Sequence, residues 1–278
     1  SAASDVYKRQ DEDRYNILKA LLLTKKNVIL QGAPGVGKTF AAKRLAYSIM
    51  GEKDTNRVKM VQFHQSYSYE DFIMGFRPTE TGFELKKGVF YEFCRKAAED
   101  DRPYFFIIDE INRGNLSKIF GELFMLIESD KRGVELQLLY ADEQFSIPSN
   151  VYIIGMMNTA DRSLAMLDYA LRRRFAFFEM TPAFNSSGFR AYRAKINNPK
   201  FDRLIVTVEQ LNDAIATDDS RGEGFCIGHS YFCTNATVTD DWMKSVVEFE
   251  LIPLLKEYWF DEAAKVKDWS RTLREVVK

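Results

Sequence analysis

The stretch NVILQGAPGVGKT, residues 27–39, decides the fold of this chain. Its apolar residues VIL form a short run that is typical of a buried strand. The segment GAPGVGKT follows at once and fits the phosphate-binding pattern G-x-x-x-x-G-K-[ST]. Residues 40–50 then alternate apolar and basic side chains at helical spacing. Strand, glycine loop and helix therefore stand in the order that a phosphate-binding loop requires.

The residue types of this loop suit a triphosphate. Glycines let the backbone bend so that successive N–H groups converge on phosphate oxygens, and the following helix adds its positive end. We expect Lys38 to reach the β- and γ-phosphates and Thr39 to place its hydroxyl on Mg²⁺. A chance match in an ordinary glycine-rich turn is disfavoured by the flanking strand and helix. The predicted nucleotide contacts are Gly32, Ala33, Pro34, Gly35, Val36, Gly37, Lys38, Thr39 and Phe40.

A second apolar run, YFFII at residues 104–108, ends in Asp109 and Glu110. In open α/β sheets, ligands bind at the carboxyl ends of the strands. We expect Asp109 to hold Mg²⁺ and Glu110 to orient and deprotonate an attacking water. Such an acidic pair is a weak signal alone, but it gains weight because it follows a phosphate loop. A water-activating base argues for hydrolysis rather than transfer to a second substrate.

The next apolar strand, residues 150–157, ends in Asn158-Thr159-Ala160-Asp161. This segment resembles the N-K-x-D element that reads guanine in small GTPases, but it lacks the lysine. In ring-forming P-loop ATPases, a polar residue at this place touches the γ-phosphate and the attacking water. We favour that second role for Asn158.

Three arginines, Arg172, Arg173 and Arg174, end a helix predicted over residues 164–175. They can act as cations that match the helix dipole. However, neighbouring residues on a helix are about 100° apart, so the three cannot all face one way. The second interpretation is an arginine finger that reaches the nucleotide of an adjacent subunit and stabilises the charge of phosphoryl transfer. It requires an oligomer.

The composition excludes several classes of protein. The chain has 278 residues, 46% of them hydrophobic, and a formal net charge of −1, so charge gives no indication of nucleic-acid binding. No apolar run approaches a membrane span, and no signal peptide is evident. Three cysteines without paired spacing indicate a reducing compartment. We expect a cytoplasmic protein.

The pattern predicts an α/β fold in two domains. Residues 13–182 read as an αβα nucleotide-binding core with a parallel sheet, and residues 183–278 as a smaller helical lid domain. Residues 1–12 match nothing that follows, and we expect a tail that is disordered or foreign to the natural chain. Cys226, His229 and Cys233 in the lid invite a metal interpretation, but they offer three ligands without close cysteine pairs. A nucleotide contact from His229 as the lid closes is the stronger interpretation, with a buried turn as its alternative.

Together these motifs make the chain resemble the AAA+ family and, within it, the McrB group of motors from modification-dependent restriction systems. The most specific segments are VQFHQSYSYEDF (61–72), FIIDEINRGNLSK (106–118), IIGMMNTADRSLAMLDYALRRRF (153–175) and IGHSYF (227–232). The resemblance implies a hexameric ring that prefers GTP to ATP and drives an McrC-type endonuclease on DNA. The guanine preference rests on this resemblance alone.

Residue roles also follow from the resemblance, motif by motif. Asn158 becomes the first sensor, and Arg173 and Arg174 become the candidate fingers. Asp161 and Arg162 are expected to shape the subunit junction. McrB motors usually carry an N-terminal domain that reads modified DNA, whereas almost nothing precedes the motor here, so direct DNA reading by this chain is not expected. Two rivals stay open, a MoxR-like ATPase chaperone and a nucleotide-gated scaffold with negligible turnover.

Overall fold

The computed structural model describes residues 2–160 and 169–278, with side chains placed for residues 11–160 and 171–278. Asp161, Arg162 and the first part of the helix predicted over residues 164–175 lie outside the described residues. The strands are β1 Asn27–Gly32, β2 Val58–Gln62, β3 Met74–Thr79, β4 Gly82–Lys87, β5 Tyr104–Asp109, β6 Leu136–Gln137, β7 Gln144–Phe145, β8 Val151–Asn158 and β9 Ala176–Met180. The helices are α1 Ala2–Lys25, α2 Lys38–Met50, α3 Tyr69–Phe72, α4 Val89–Ala98, α5 Leu116–Phe120, α6 Tyr169–Arg174, α7 Ser187–Ile196, α8 Pro199–Ala216, α9 Asp240–Val246, α10 Ile252–Tyr258 and α11 Ala263–Val276.

A five-stranded sheet in the order β2-β5-β8-β1-β9 forms the centre of the core. Each neighbouring pair is parallel, so the carboxyl ends of all five strands meet at one edge. Strands β5, β1 and β8 are apolar and buried along nearly their whole length, because helices cover both of their faces. One layer contains α1 and α2, and the other contains α3, α4 and α5.

The second part of the chain is helical. Helices α7 to α11 enclose a separate apolar core in which Phe201, Phe232, Leu251 and Trp259 are fully buried. The sequence pattern predicts helices over residues 186–196, 201–216 and 242–259, and the structure adds α11 to these. The predicted class, an α/β core with a parallel sheet followed by a helical lid, is confirmed.

Several local predictions differ from the structure. Strand β9 and the β3–β4 hairpin were not predicted. Apolar residues at helical spacing predict one helix over residues 117–128. The observed helix ends at Phe120 and continues as a 3₁₀ turn, Gly121–Met125, because Gly121 takes a φ of 53°. The alternating pattern within residues 134–147 predicts a β-hairpin, and Ser68 with Asp71 predicts a capping box. The structure has both, as the short hairpin of β6 and β7 and the cap of α3.

The structure gives a helix where the sequence predicted a tail over residues 1–12. Helix α1 begins at Ala2, and neither glycine nor proline interrupts it before Lys25. The carboxylate of Asp11 accepts hydrogen bonds from the backbone N–H and the hydroxyl of Ser187, at 2.9 and 2.7 Å. The beginning of the chain is thereby tied to the first helix after the core.

A buried polar group fixes the start of β1. The side chain of Asn27 is fully buried, and its amide donates to the carbonyls of Ile127 and Arg174 at 2.6 and 3.0 Å. Its Oδ1 accepts from the Arg132 guanidinium at 2.7 Å. Burial lowers the pKa of Arg132 to about 10, so the guanidinium stays charged at neutral pH and needs its acceptors. Asn27 therefore joins the sheet to the end of α6.

We expect Asn27→Ala to lower the free energy of unfolding by about 1–3 kcal/mol, because it removes the amide donor to the Ile127 and Arg174 carbonyls and one of the acceptors of the buried Arg132 guanidinium. Urea-induced unfolding followed by circular dichroism measures the change. Asn235→Ala serves as the control because Asn235 is exposed. Equal stability of the two variants would contradict the role assigned to Asn27.

Candidate nucleotide-binding site

The glycine loop between β1 and α2 curves around the ammonium group of Lys38. Gly35 and Gly37 take φ values of 77° and 82°, a region that side chains disfavour, and Gly37 caps the start of α2. Lys38 Nζ donates to the carbonyls of Gly32 and Ala33, both at 2.9 Å. The ammonium is therefore held within the loop, with one N–H left for a ligand.

Burial shapes the charge of this lysine. Desolvation lowers the pKa of Lys38 to about 8, although the nearby carboxylates of Glu110, Asp109 and Glu179 oppose the shift. The charged form of a partly buried lysine is stabilised when the negative charge of a polyphosphate lies beside it. The loop is thus electrostatically prepared for an anion.

Asp109, Glu110 and Asn158 lie together at the carboxyl edge of the sheet. Asn158 Nδ2 donates to Glu110 Oε1 at 3.0 Å, and Arg113 Nε donates to Glu110 Oε2 at 3.2 Å. The Glu110 side chain is 13% exposed, so solvent reaches it only in part. Its backbone takes a φ of 50°, which is uncommon for a residue with a side chain and costs of order 1–3 kcal/mol.

The oxygen donors present suit a magnesium ion. Asp109 Oδ1 accepts the Glu110 backbone N–H at 3.0 Å, and Thr39 is an exposed residue in the first turn of α2. One carboxylate and one hydroxyl, completed by phosphate oxygens and water, form the donor set that Mg²⁺ takes in nucleotide sites. Within the described ranges, no group of three or more His, Cys, Asp or Glu side chains could hold a metal.

The lid places His229 over the start of α2. His229 Nδ1 accepts the Ala183 backbone N–H at 3.1 Å, so the neutral ring carries its proton on Nε2. A Cβ built on Gly37 would lie 3.7 Å from that Nε2. Burial lowers the pKa of His229, which keeps the ring neutral near pH 7. The Cys226 thiol donates a hydrogen bond to the Asn212 carbonyl. The Cys233 thiol donates one to the His229 carbonyl.

A cavity of about 520 Å³ extends from the phosphate loop between core and lid. Helix α1 contributes Arg14 and Tyr15 to its wall, α2 contributes Phe40, and the lid contributes His229. Phe40 is 68% exposed at this place. For the helix over residues 13–23, which includes Arg14 and Tyr15, the sequence left open a place beside the nucleotide base but favoured plain packing. Arg113 was missed, although its spacing of three residues from Glu110 pointed to it.

The two arginines proposed as fingers, Arg173 and Arg174, have different surroundings in the structure. Arg174 is 15% exposed; it donates to the Phe124 carbonyl at 2.9 Å and pairs with Glu128 at 3.2 Å. Arg173, one position earlier, is exposed. Arg174 is therefore bound within its own chain, whereas Arg173 lies on the surface.

Comparison with known proteins gives two family matches. The family described as "AAA domain (dynein-related subfamily)" matches residues 27–175. The family described as "McrB, alpha-helical lid domain" matches residues 203–267. The second match covers most of the helical region that contains His229.

Two curated proteins are similar to this chain. The Type IV methyl-directed restriction enzyme EcoKMcrB subunit of Escherichia coli (strain K12) is 53% identical over 270 residues, which cover 92% of this chain. The Type II restriction enzyme BsuMI component YdiS of Bacillus subtilis (strain 168) is 26% identical over 205 residues, 59% of this chain. The chain spans 59% of the length of each of these relatives. In the part of the chain that the structure describes, no helix has the length and apolar character needed to cross a membrane.

The pKa of Lys38 predicts a pH dependence of nucleotide binding. Above pH 8 the free protein loses the Lys38 proton that the bound phosphates require, so the Kd is expected to rise, approaching tenfold per pH unit. Below pH 8 the lysine is already charged, and its contribution is constant. Titration calorimetry with GTP and Mg²⁺ between pH 7 and 9.5 measures this profile.

Lys38→Arg provides the control because arginine stays protonated throughout this range. Its affinity is expected to be lower than that of the wild type but nearly constant between pH 7 and 9.5. A wild-type profile as flat as that of the arginine variant would contradict a depressed lysine pKa.

Proposed function

Because this chain belongs to the AAA domain family, dynein-related subfamily, we propose that it is the nucleotide-hydrolysing motor of an McrB-type restriction system. The proposal has three parts, which are hydrolysis of a triphosphate with GTP preferred, a site completed by a neighbouring copy in a ring, and a nuclease partner of the McrC type. The strongest support is the hydrogen bond between Asn158 and Glu110 at the edge that carries the phosphate loop.

The chemistry follows from the positions of these groups. The triphosphate binds with its β- and γ-phosphates against the loop N–H groups and Lys38. Glu110 accepts a proton from the attacking water, and Asn158, bound to the same carboxylate, orients that water towards the γ-phosphate. Mg²⁺ held by Thr39 and Asp109 would neutralise charge on the phosphate oxygens. Arg113 fixes the second oxygen of Glu110 and so limits the carboxylate to one orientation.

The shared site depends on Arg173. Charge builds up on the γ-phosphate oxygens during transfer, and a guanidinium supplied by a second copy stabilises it. The contacts of Arg174 with Phe124 and Glu128 hold the end of α6, so of the two candidate fingers Arg173 is the one that is exposed to a neighbour. A head-to-tail arrangement of this kind closes into a ring when its rotation allows.

The guanine preference and the nuclease partner rest on the similarity to the EcoKMcrB subunit. The cavity wall supports a purine, since it combines Tyr15 and Phe40 with the ring of His229 and the cation of Arg14. The match to an McrB lid favours this function over a MoxR-like chaperone.

The central prediction concerns two variants and their mixture. Glu110→Gln is expected to bind GTP but to reduce kcat by ~10²–10⁴, since the base is lost. Arg173→Ala is expected to reduce kcat by ~10³, since the finger is lost. When the two variants are mixed in equal amounts, about a quarter of the sites combine an intact Glu110 with an intact neighbouring Arg173, and turnover returns in that proportion.

Arg172→Ala is the matched control because Arg172 is an exposed neighbour on the same helix. It is expected to keep turnover within a few fold of wild type. A mixture that shows no more activity than its two components would place the whole site within one chain. Turnover per subunit that stays constant on dilution would have the same meaning.

Phosphate release with GTP and with ATP tests the substrate, with and without an McrC-type nuclease subunit. We expect kcat/KM to favour GTP by at least about tenfold, because a pocket that bonds one base leaves polar groups unpaired with another. Addition of the nuclease subunit is expected to raise the rate. A preference for ATP with no response to the nuclease would instead support a chaperone, and binding without multiple turnovers would support a scaffold.

A further inference from the structure

A loop of the lid touches the phosphate-binding loop directly. The backbone N–H of Gly228 donates to the Pro34 carbonyl at 3.1 Å, and that of Ser230 donates to the Gly35 carbonyl at 2.9 Å. These hydrogen bonds join the lid directly to the phosphate loop. We call residues 224–231 the lid loop.

Gly228 is the point of closest approach. A Cβ built on it would lie 1.9 Å from the Gly35 carbonyl carbon and 2.4 Å from the Val36 nitrogen, which is far inside van der Waals contact. The φ and ψ of Gly228 are −76° and 157°, a region open to every residue. Glycine is therefore needed here for space against the phosphate loop and not for its backbone freedom.

The lid loop is itself firmly attached to the lid. The buried Asn212 side chain of α8 accepts from the Ile227 N–H at 2.6 Å and donates to the Ile227 carbonyl at 2.9 Å. Ile227 and Phe232, on either side of the contact, are fully buried. On the core side, Thr159 Oγ1, next to Asn158, donates to the Gly224 carbonyl at 2.9 Å. The lid loop therefore connects α8 to both the phosphate loop and the end of β8.

The contact determines where the phosphate-binding donors point. In a trans peptide the C=O and the following N–H point in opposite directions. The Pro34 and Gly35 carbonyls face the lid, so the N–H groups of Gly35 and Val36 face the other way. A phosphate site needs successive N–H groups turned inward, away from such outward carbonyls.

We propose that Gly228 is a positioning residue for triphosphate binding, through which the lid holds the phosphate loop in its binding conformation before nucleotide arrives. This inference rests on the proposed function, since it names how the lid serves the same site. It makes the lid a part of the phosphate site in the resting protein. Movement of the lid would then change nucleotide affinity directly.

Gly228→Ala tests the proposal. The added methyl group displaces the lid loop from Gly35, so the KM for GTP is expected to rise at least about tenfold while kcat at saturating GTP changes only a few fold, as for a loss of binding without loss of chemistry. Gly188→Ala is the matched control, because a Cβ at Gly188 meets nothing within 4 Å. Thermal unfolding of both variants checks that the lid core remains folded.

Amide hydrogen exchange, resolved by residue, gives a second readout that does not depend on catalysis. In the nucleotide-free wild type, the Gly228 and Ser230 amides are expected to exchange slowly. In Gly228→Ala, the amides of residue 228 and Ser230 are expected to exchange faster because the Pro34 and Gly35 carbonyls that accept them are displaced, while Leu211 in α8 is unchanged.

The outcomes separate this proposal from the proposed function. A wild type that hydrolyses no triphosphate removes the function, while slow exchange at Gly228 and Ser230 would still support the contact. A wild type that hydrolyses GTP beside a Gly228→Ala variant with an unchanged KM overturns the positioning role. Fast exchange of both amides in the wild type overturns it as well.

Discussion

The register of the parallel sheet is the constraint on which the site depends. Gly32, the last residue of β1, pairs with Asn158 of β8 and with Met180 of β9, while Asp109 of β5 pairs with Gln62 of β2. Parallel strands end at a common edge, so segments far apart in the chain deliver their terminal residues to one place. A shift of β8 by one residue would turn Asn158 to the other face of the sheet. Buried apolar side chains on both faces prevent that shift.

Opposite charges lie close together at this edge. The Lys38 ammonium is partly desolvated and lies near the carboxylates of Glu110, Asp109 and Glu179. It also donates hydrogen bonds to two backbone carbonyls. Glu110 is held in a strained backbone conformation with both carboxylate oxygens occupied. Such pre-arranged groups need little reorganisation when a charged ligand arrives, and this is the usual source of catalysis in phosphoryl transfer. The strain at Glu110 is maintained by the sheet on one side and by the burial of Ile111 on the other.

The resemblance to the McrB group, read from four short segments, is confirmed by the 53% identity to the EcoKMcrB subunit and by the lid match. The P-loop, the Asp109–Glu110 strand and the Asn158 strand were predictable because each combines an apolar run with a polar end. The β3–β4 hairpin and strand β9 were not predictable in this way. Phe76 and Phe83 of that hairpin are exposed, so the pattern lacks the alternation that marks a half-buried strand. The roles of the individual site residues stay predictions.

By itself, the sequence determined the order of strand, loop and helix, the chemical types of the groups at the site, and the family. These are local properties, set by backbone preference and by spacing along the chain. Only the tertiary structure decided that Arg174 is bound within its own chain while Arg173 is exposed, since neighbours on a helix face different surroundings. It alone placed Gly228 of the lid against Pro34 and Gly35. That contact joins residues almost two hundred positions apart, and its geometry depends on how two separately packed cores meet, which no local pattern encodes.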